Sequence, residues 1–149
     1  MLIGVLSDTH GLLRPEAIAA LRGCDHILHA GDVGAPSILG ELRQIAPVTA
    51  VRGNVDDQHL PIAEVFEAAG VSIYMLHILQ NLDLKPEAAG FHAVVYGHSH
   101  QPMQATENGV LYFNPGSAGP RRFKLPITVG RLIIEKGKLR GEIIPLPIR

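Results

Sequence analysis

Leu2-Ile3-Gly4-Val5-Leu6-Ser7-Asp8-Thr9-His10 is a short apolar run that ends abruptly in polar residues. This layout is typical of a strand buried on both faces of a parallel sheet. Three later runs share it and are also followed closely by polar residues: His26–Ala30, Val48–Val51 and Ala93–Tyr96. We therefore predict four buried strands, each with chemically useful side chains beyond its carboxyl end.

Two amphipathic segments separate the first three of these runs. Pro15–Arg22 places Ile18 and Leu21 on one face, and Pro36–Ile45 carries apolar residues at helical spacing. Both segments begin with proline, which is favoured at the first position of a helix. Alternation of strands and helices predicts a layered α/β fold.

The second half of the chain is predicted to be mostly antiparallel, with a short helix at Leu84–Ala89. Its turn sequences are Ala69-Gly70, Asn108-Gly109 and Lys136-Gly137, and such glycine-containing turns favour hairpins. The strand pairs that they join are Ala63–Ala68 with Val71–His77, Met103–Thr106 with Val110–Phe113, and Thr128–Glu135 with Lys138–Pro145. Since no linker or repeat divides the chain, we predict one domain over residues 1–149, with two sheets packed face to face and helices outside.

The composition limits the functional class. The chain has 149 residues, and 13 basic against 14 acidic residues give a net charge of −1, which argues against binding to long nucleic acid. No apolar run approaches the roughly 18 residues of a membrane span, and the apolar segment at Leu2 is too short for a signal peptide. We expect a cytoplasmic protein without a membrane partner. A single cysteine, Cys24, excludes an internal disulfide.

Metal-competent side chains follow the predicted strands. Asp8 and His10 are two residues apart, and His98 and His100 repeat that spacing. Glycine precedes Asp32 and also the next candidate, so the backbone can turn sharply and approach closely there. Ligands gather beyond the carboxyl ends of strands in open α/β sheets, so these side chains are expected to converge. The full candidate set is Asp8, His10, Asp32, Asn54, His77, His98 and His100.

Imidazole mixed with oxygen ligands suits Mn, Fe, Ni or Zn better than Ca or Mg. Seven ligands are too many for one ion with open positions, and they suit two ions that share a bridging carboxylate. We therefore predict two divalent metal ions, with Mn²⁺ as the expected metal.

The order of the motifs, Asp-x-His, Gly-Asp, Gly-Asn-x-Asp, His and Gly-His-x-His, resembles that of the calcineurin-like metallophosphoesterases. The later Asn114-Pro115-Gly116-Ser117 is similar to the small bacterial and archaeal phosphodiesterase branch, to which the retromer scaffold subunit is related. The resemblance implies a four-layer α/β/β/α sandwich of two mixed sheets flanked by helices. It also implies hydrolysis of a phosphoester, with a diester expected, by a hydroxide that bridges two metals.

The resemblance also implies roles for individual residues. Asp32, Asn54 and His10 are expected to be catalytic, and Asn54 to contact a small phosphorylated substrate. Arg121 and Arg122 follow the Asn-Pro-Gly-Ser segment and are candidates for the same contact. The two arginines could instead belong to a solvated charge run. A dimer or tetramer is implied as well. The two ligand sets share Asp32 and are Asp8, His10, Asp32 and His100 for one ion, and Asp32, Asn54, His77 and His98 for the other.

Two positions depart from the family pattern. Val55 stands where many members carry a histidine that can donate a proton. Ile78 stands where glycine usually follows the histidine, and a β-branched residue disfavours positive φ, which would constrain His77. These departures support an alternative, a catalytically weak or inactive interaction scaffold with the same fold. Retention of all seven ligands favours the enzyme.

Two further polar residues have open interpretations. His29 precedes Gly31 by two residues and is expected to orient a metal ligand or to pack the end of its strand. Asp56 follows Asn54 by two residues and either orients a ligand or caps a turn.

Overall fold

The computed structural model describes residues 1–148, in which ten strands form two sheets. In chain order the strands are β1 (Leu2–Leu6), β2 (His26–His29), β3 (Val48–Ala50), β4 (Ala63–Ala68), β5 (Val71–Leu76), β6 (Ala93–Val95), β7 (Met103–Glu107), β8 (Val110–Asn114), β9 (Thr128–Glu135) and β10 (Lys138–Pro145). The helices are α1 (Pro15–Leu21), α2 (Pro36–Arg43) and α3 (Pro86–Ala89), with a 3-10 turn at Leu79–Asn81. No helix in this range is long and apolar enough to cross a membrane.

Both sheets have five strands and mix parallel with antiparallel pairing. The first has the order β10-β9-β1-β2-β3, with β1, β2 and β3 parallel and β9 antiparallel to β1. The second has the order β4-β5-β6-β8-β7, with β5, β6 and β8 parallel and a hairpin at each edge. Each predicted element is present with its ends within two residues of the expected ones.

The hydrophobic core confirms the layered arrangement. Along β1, Ile3 and Val5 pack against the second sheet, whereas Leu6 packs against the helices, as expected for a strand buried on both faces. The helices α1 and α2 contribute Leu21 and Leu42 to the cluster on the outer side of the first sheet. The second sheet is covered more thinly, by the 3-10 turn, α3 and their neighbours. The predicted sandwich of two mixed sheets flanked by helices is thus confirmed.

One aromatic side chain locks the two sheets together. Phe113 on β8 is completely buried, and its ring fits a hollow formed by Gly130 on β9 and Gly141 on β10. A Cβ atom on Gly130 would lie 2.5 Å from Cε1 and 2.6 Å from Cζ of this ring. Glycine is therefore required at this position by the close approach of the opposite sheet.

We expect Gly130→Ala to lower the free energy of unfolding by about 1–3 kcal/mol, because the added methyl group overpacks a filled core. The matched control is Gly40→Ala inside α2, where no atom lies within 4 Å of the added Cβ. That change should raise the free energy of unfolding by about 0.5–1 kcal/mol. Urea denaturation of both variants measures these values, and equal stabilities would show that Phe113 does not require the hollow.

Candidate metal centre

The loops that follow β1, β2, β5 and β6 meet at one end of the two sheets. Asp32 Oδ2 lies 3.3 Å from Nε2 of His10 and 3.2 Å from Nε2 of His77. Asp8 Oδ1 lies 3.5 Å from Nε2 of His100. Five of the seven candidate side chains therefore form one compact cluster. It contains two groups with metal-ligating geometry that share Asp8: Asp8, His10 and His100, and Asp8, Asp32 and His77.

This cluster holds most of the unsatisfied polar atoms of the described chain. Four of the five buried side-chain atoms without a hydrogen-bond partner in residues 1–148 are Asp8 Oδ1, His10 Nε2, His77 Nε2 and His100 Nδ1. Buried polar atoms are normally paired, so such a concentration needs an explanation. Carboxylate oxygens and imidazole nitrogens are ligands for borderline divalent metals, and the donor set fits such ions.

The remaining two candidates, His98 and Asn54, lie at the exposed mouth of the cluster. The His98 ring is 5.3 Å from the ring of His77, and its backbone N–H donates to Asp8 Oδ2 at 3.2 Å. Asn54 and His77 line the same surface cleft. The structure thus places both residues beside the buried cluster, on the side that faces solvent.

The hydrogen bonds of His77 define which of its nitrogens faces the cluster. Its Nδ1 is 2.7 Å from the carbonyl oxygen of Ala30, which can only accept, so Nδ1 carries the proton. Burial would lower the pKa of His77, but the nearby Asp32 carboxylate and the hydrogen bond to Ala30 outweigh it and raise this pKa. Nε2 is therefore the atom presented to the two aspartates, as expected for an oriented metal ligand.

The two aspartates have opposite pKa shifts. Burial raises the pKa of Asp8, against the lowering effects of the His77 charge and the Ser7 hydrogen bond. Burial would also raise the pKa of Asp32, but the adjacent His77 ring and the hydrogen bond from the Val55 N–H outweigh it and hold this pKa below its ordinary value. Asp32 is thus the more firmly ionised of the pair.

The arginine loop beyond β8 approaches the cluster through one residue. Burial, with the charge of Arg122 second, lowers the pKa of His100 to about 4, so its ring is neutral near pH 7. Arg121 instead donates to the carbonyl oxygen of Leu125 at 3.3 Å and closes its own loop. Of the two arginines expected to contact substrate, Arg122 is thus the one whose charge lowers the pKa of His100.

Candidate ligands occupy unusual backbone conformations. Asp8, His10, Asp32, His98 and His100 have φ angles of 57°, 46°, 56°, 72° and 63°. Non-glycine residues rarely adopt this left-handed region, at a cost of about 1–3 kcal/mol each, and such strain concentrates at functional sites. The backbone holds these angles by direct bonds between loops, such as His10 N–H to Asp32 O at 2.9 Å.

Glycines allow these loops to touch. A Cβ atom on Gly53 would collide with the backbone nitrogen and the carboxylate of Asp32. One on Gly97 would collide with Ser7 Oγ. The expected close approach at the glycine before Asn54 is confirmed.

Asp56 was expected either to orient a metal ligand or to cap a turn. Its carboxylate caps backbone N–H groups of two ligand-bearing loops. Its Oδ1 accepts the N–H of Gly34 at 3.0 Å, and its Oδ2 accepts those of Val33 at 3.1 Å and Gly53 at 2.9 Å. The carboxylate therefore caps three backbone donors that flank Asp32 and Asn54. It acts on the ligands through the loops that carry them.

His29 fixes the loop between Asp8 and His10 from beneath. Gly31 N–H donates to its Nδ1 at 3.1 Å, so its Nε2 carries the proton and donates to Thr9 Oγ1 at 3.0 Å. Thr9 in turn donates to the carbonyl oxygen of Val33 at 2.8 Å. Burial lowers the pKa of His29 to about 4, so it is a neutral connector of β1 and β2.

The Asn114-Pro115-Gly116-Ser117 segment supports the centre indirectly, a role that the sequence alone did not reveal. Asn114 Nδ2 donates to the carbonyl oxygen of Gly97 at 3.2 Å and to Ser99 Oγ at 3.1 Å. Ser117 Oγ donates to the carbonyl oxygen of Asp8 at 3.2 Å. The motif thus braces the loop of His98 and His100 and the loop of Asp8.

The two departures from the family pattern have different consequences. Ile78 has φ −110° and ψ 112°, ordinary extended backbone, so it does not take a positive φ, and its effect on His77 stays a prediction. Val55 donates its N–H to Asp32 Oδ1 at 3.1 Å, and its side chain is 55% exposed beside the centre. Position 55 therefore lies where a proton donor would be useful, but valine cannot donate from its side chain.

Comparison with known proteins supports the interpretation of the centre. Residues 1–137 match the calcineurin-like phosphoesterase superfamily domain. A protein of Methanothermobacter thermautotrophicus described as a probable metallophosphoesterase is 37% identical over 97% of this chain and 92% of its own. A solved archaeal phosphodiesterase has a TM-score of 0.80 at 23% identity, covering 97% of this chain and all of that one (100%). Wild-type Vps29 of Entamoeba histolytica, solved with zinc, has a TM-score of 0.78 at 20% identity, covering 97% and 99%.

These similarities span nearly the whole chain and include both the phosphodiesterase and the retromer subunit to which the motifs pointed. The chain belongs to the calcineurin-like phosphoesterase superfamily, and its predicted place among the metal-dependent phosphoesterases is confirmed.

Proposed function

We propose that this protein is a dinuclear metal-dependent phosphodiesterase. The observation that carries the proposal is the cluster of four buried ligand atoms without partners around Asp8 and Asp32. Asp8, His10 and His100 would hold one ion, and His77 with Asn54 and His98 would hold the second. Asp32 Oδ2 contacts both His10 and His77, which suits it to bridge the two ions.

Bound at this centre, two divalent ions, with Mn²⁺ expected, would supply Lewis-acid chemistry and a bridging hydroxide for attack on phosphorus. The chain's own contribution is positioning. Buried carboxylates and oriented imidazoles hold charges that need no reorganisation during the reaction. Asn54, with its amide at the mouth, would bind a phosphate oxygen, and Arg122 would add positive charge on the His100 side.

The proposed site has no side chain at position 55 that could give a proton to the leaving group. Val55 hydrogen-bonds Asp32 through its backbone N–H and has no proton to give from its side chain. A diester with a poor leaving group should therefore react slowly.

The alternative function is an interaction scaffold without useful activity. Metal content alone does not separate the two functions, because the Vps29 neighbour was itself solved with zinc. Hydrolysis does separate them. The 37% identity to a probable metallophosphoesterase, over nearly the whole chain, favours the enzyme.

We also propose a class of substrate, a cellular location and an oligomeric state. A small phosphorylated substrate fits the short loops around the centre, and the net charge of −1 disfavours long nucleic acid. A cytoplasmic location and assembly as a dimer or tetramer remain predictions.

For the native protein we expect two divalent ions per chain and hydrolysis of bis(p-nitrophenyl) phosphate that rises on addition of Mn²⁺. Asp32→Asn should reduce bound metal and lower kcat/KM by about 10²–10³-fold, because it removes charge shared by both ions. The control is Asp57→Asn, an exposed carboxylate that bonds only His59 among described side chains. Elemental analysis and steady-state kinetics measure both effects. A folded Asp32→Asn protein with native metal content and activity would contradict the ligand assignment.

Asp56→Asn tests the loop connection. An amide nitrogen cannot accept a backbone N–H, so one or more of the three capping bonds is lost. We expect Mn²⁺ affinity to fall by about 10–100-fold, the usual effect of removing a group that orients metal ligands. Isothermal titration with Mn²⁺ gives the affinity, and Asp57→Asn is again the neighbouring control. Unchanged affinity with reduced thermal stability would mean that the carboxylate serves folding alone.

The missing donor at position 55 predicts a steep dependence of rate on the leaving group. Activated aryl diesters should be hydrolysed far better than alkyl diesters, since general acid catalysis is worth about 10²–10⁴-fold. Val55→His should speed poor leaving groups more than good ones. The measurement is kcat/KM over a series of phenyl and alkyl diesters for both proteins. A shallow dependence in the native enzyme would show that another group already supplies the proton.

A further inference from the structure

A cleft of about 380 Å³ opens beside the candidate metal centre. Asn54 and His77 line its end at the centre, and its wall continues along the outer face of β5 past Leu76 to Tyr74. Tyr74 is three residues before His77, so it lies about 10 Å away along the strand. An occupant bound to the centre through a phosphate can therefore extend along this cleft.

The lining combines an apolar wall with a polar rim. Ile62, Leu76 and Ile78 supply apolar surface, and Asn81 and Asp83 are exposed at the rim. Arg52, next to Gly53 and Asn54 in the chain, adds a positive charge to the lining. An ionised carboxylate only accepts hydrogen bonds, whereas an amide both donates and accepts. The cleft thus suits a group with an apolar face and hydrogen-bond donors on its edge.

The aromatic side chain of the cleft is held in place. The Tyr74 ring makes an edge contact with Phe91 at a centroid distance of 5.3 Å, and it belongs to the cluster that covers the second sheet. Tyr74 and Asp83 line the same cleft, and burial, with the charge of Asp83 second, raises the pKa of Tyr74. A fixed aromatic ring is a good contact surface for a flat ligand.

We propose that this cleft binds one ester substituent of the phosphodiester, and that the substituent is a nucleoside or a group of similar size and chemistry. The inference rests on the proposed function and adds Tyr74, Asn81 and Asp83 as specificity residues. A methyl or glyceryl group would leave the Tyr74 end of the cleft unfilled. A fatty chain would bury the polar rim without hydrogen bonds, which is costly.

Two synthetic diesters test the proposal, thymidine 5′-(p-nitrophenyl) phosphate and methyl p-nitrophenyl phosphate. They share the leaving group and the charge, and differ only in the retained substituent. The native enzyme should prefer the thymidine ester in kcat/KM by about tenfold or more, the usual worth of one hydrogen bond to a charged group. Thymidine 5′-monophosphate should also inhibit at lower concentration than inorganic phosphate.

The variants Asp83→Asn and Tyr74→Ala should each reduce this preference, Asp83→Asn by about tenfold. The matched control, Glu107→Gln, changes an exposed carboxylate at the far end of β7 and should keep the native preference. Hydrolysis of neither ester would overturn the proposed phosphodiesterase itself. Hydrolysis of both esters with equal kcat/KM, or a preference that survives both cleft substitutions, would overturn the nucleoside site alone.

Discussion

The burial of Asp8 and Asp32 side by side, with the His77 ring against both, is the constraint on which the rest of the structure depends. Two carboxylates of like charge removed from water destabilise each other unless positive charge lies between them. The chain supplies part of the compensation through His77 and the Val55 N–H. Four ligand atoms are still left without partners among the described residues, and divalent cations are the chemical species that this donor set suits.

The surrounding framework keeps this arrangement rigid. Neighbouring parallel strands bring the ends of β1 and β2 together, and the register that pairs Leu6 with His29 sets Asp8 opposite the Gly31 loop. Bonds through Asp56, His29 and Asn114 then tie the loops to one another. Left-handed residues persist at ligand positions because neighbours on several elements over-determine their conformation. The strained loops are thus hydrogen-bonded to one another, and each is held by its neighbours.

The sequence predicted the layered fold well because its strands are short apolar runs with polar ends, and parallel strands must bring those ends to one edge. It missed the 3-10 turn at Leu79–Asn81, since three residues carry no periodicity. It also could not choose between the roles of Asp56, because capping depends on which backbone N–H groups from a distant loop arrive nearby. Ile78 avoids positive φ, as its β-branched side chain predicts, and takes an extended conformation.

The backbone alone does not distinguish an enzyme from a scaffold, because an archaeal phosphodiesterase and Vps29 share it almost equally. The site itself can be judged from the free energy of folding that its conformation costs. Left-handed residues and unpaired buried atoms each destabilise the fold. Valine at position 55 cannot donate a proton from its side chain. Its contact with Asp32 is made through the backbone N–H, so the identity of this side chain does not change the strained conformation of Asp32. A chain that no longer bound metal would be free to relax these loops, whereas this one keeps the strained conformation at Asp8, His10, Asp32, His98 and His100, the positions where metal ligation requires the side chains to converge.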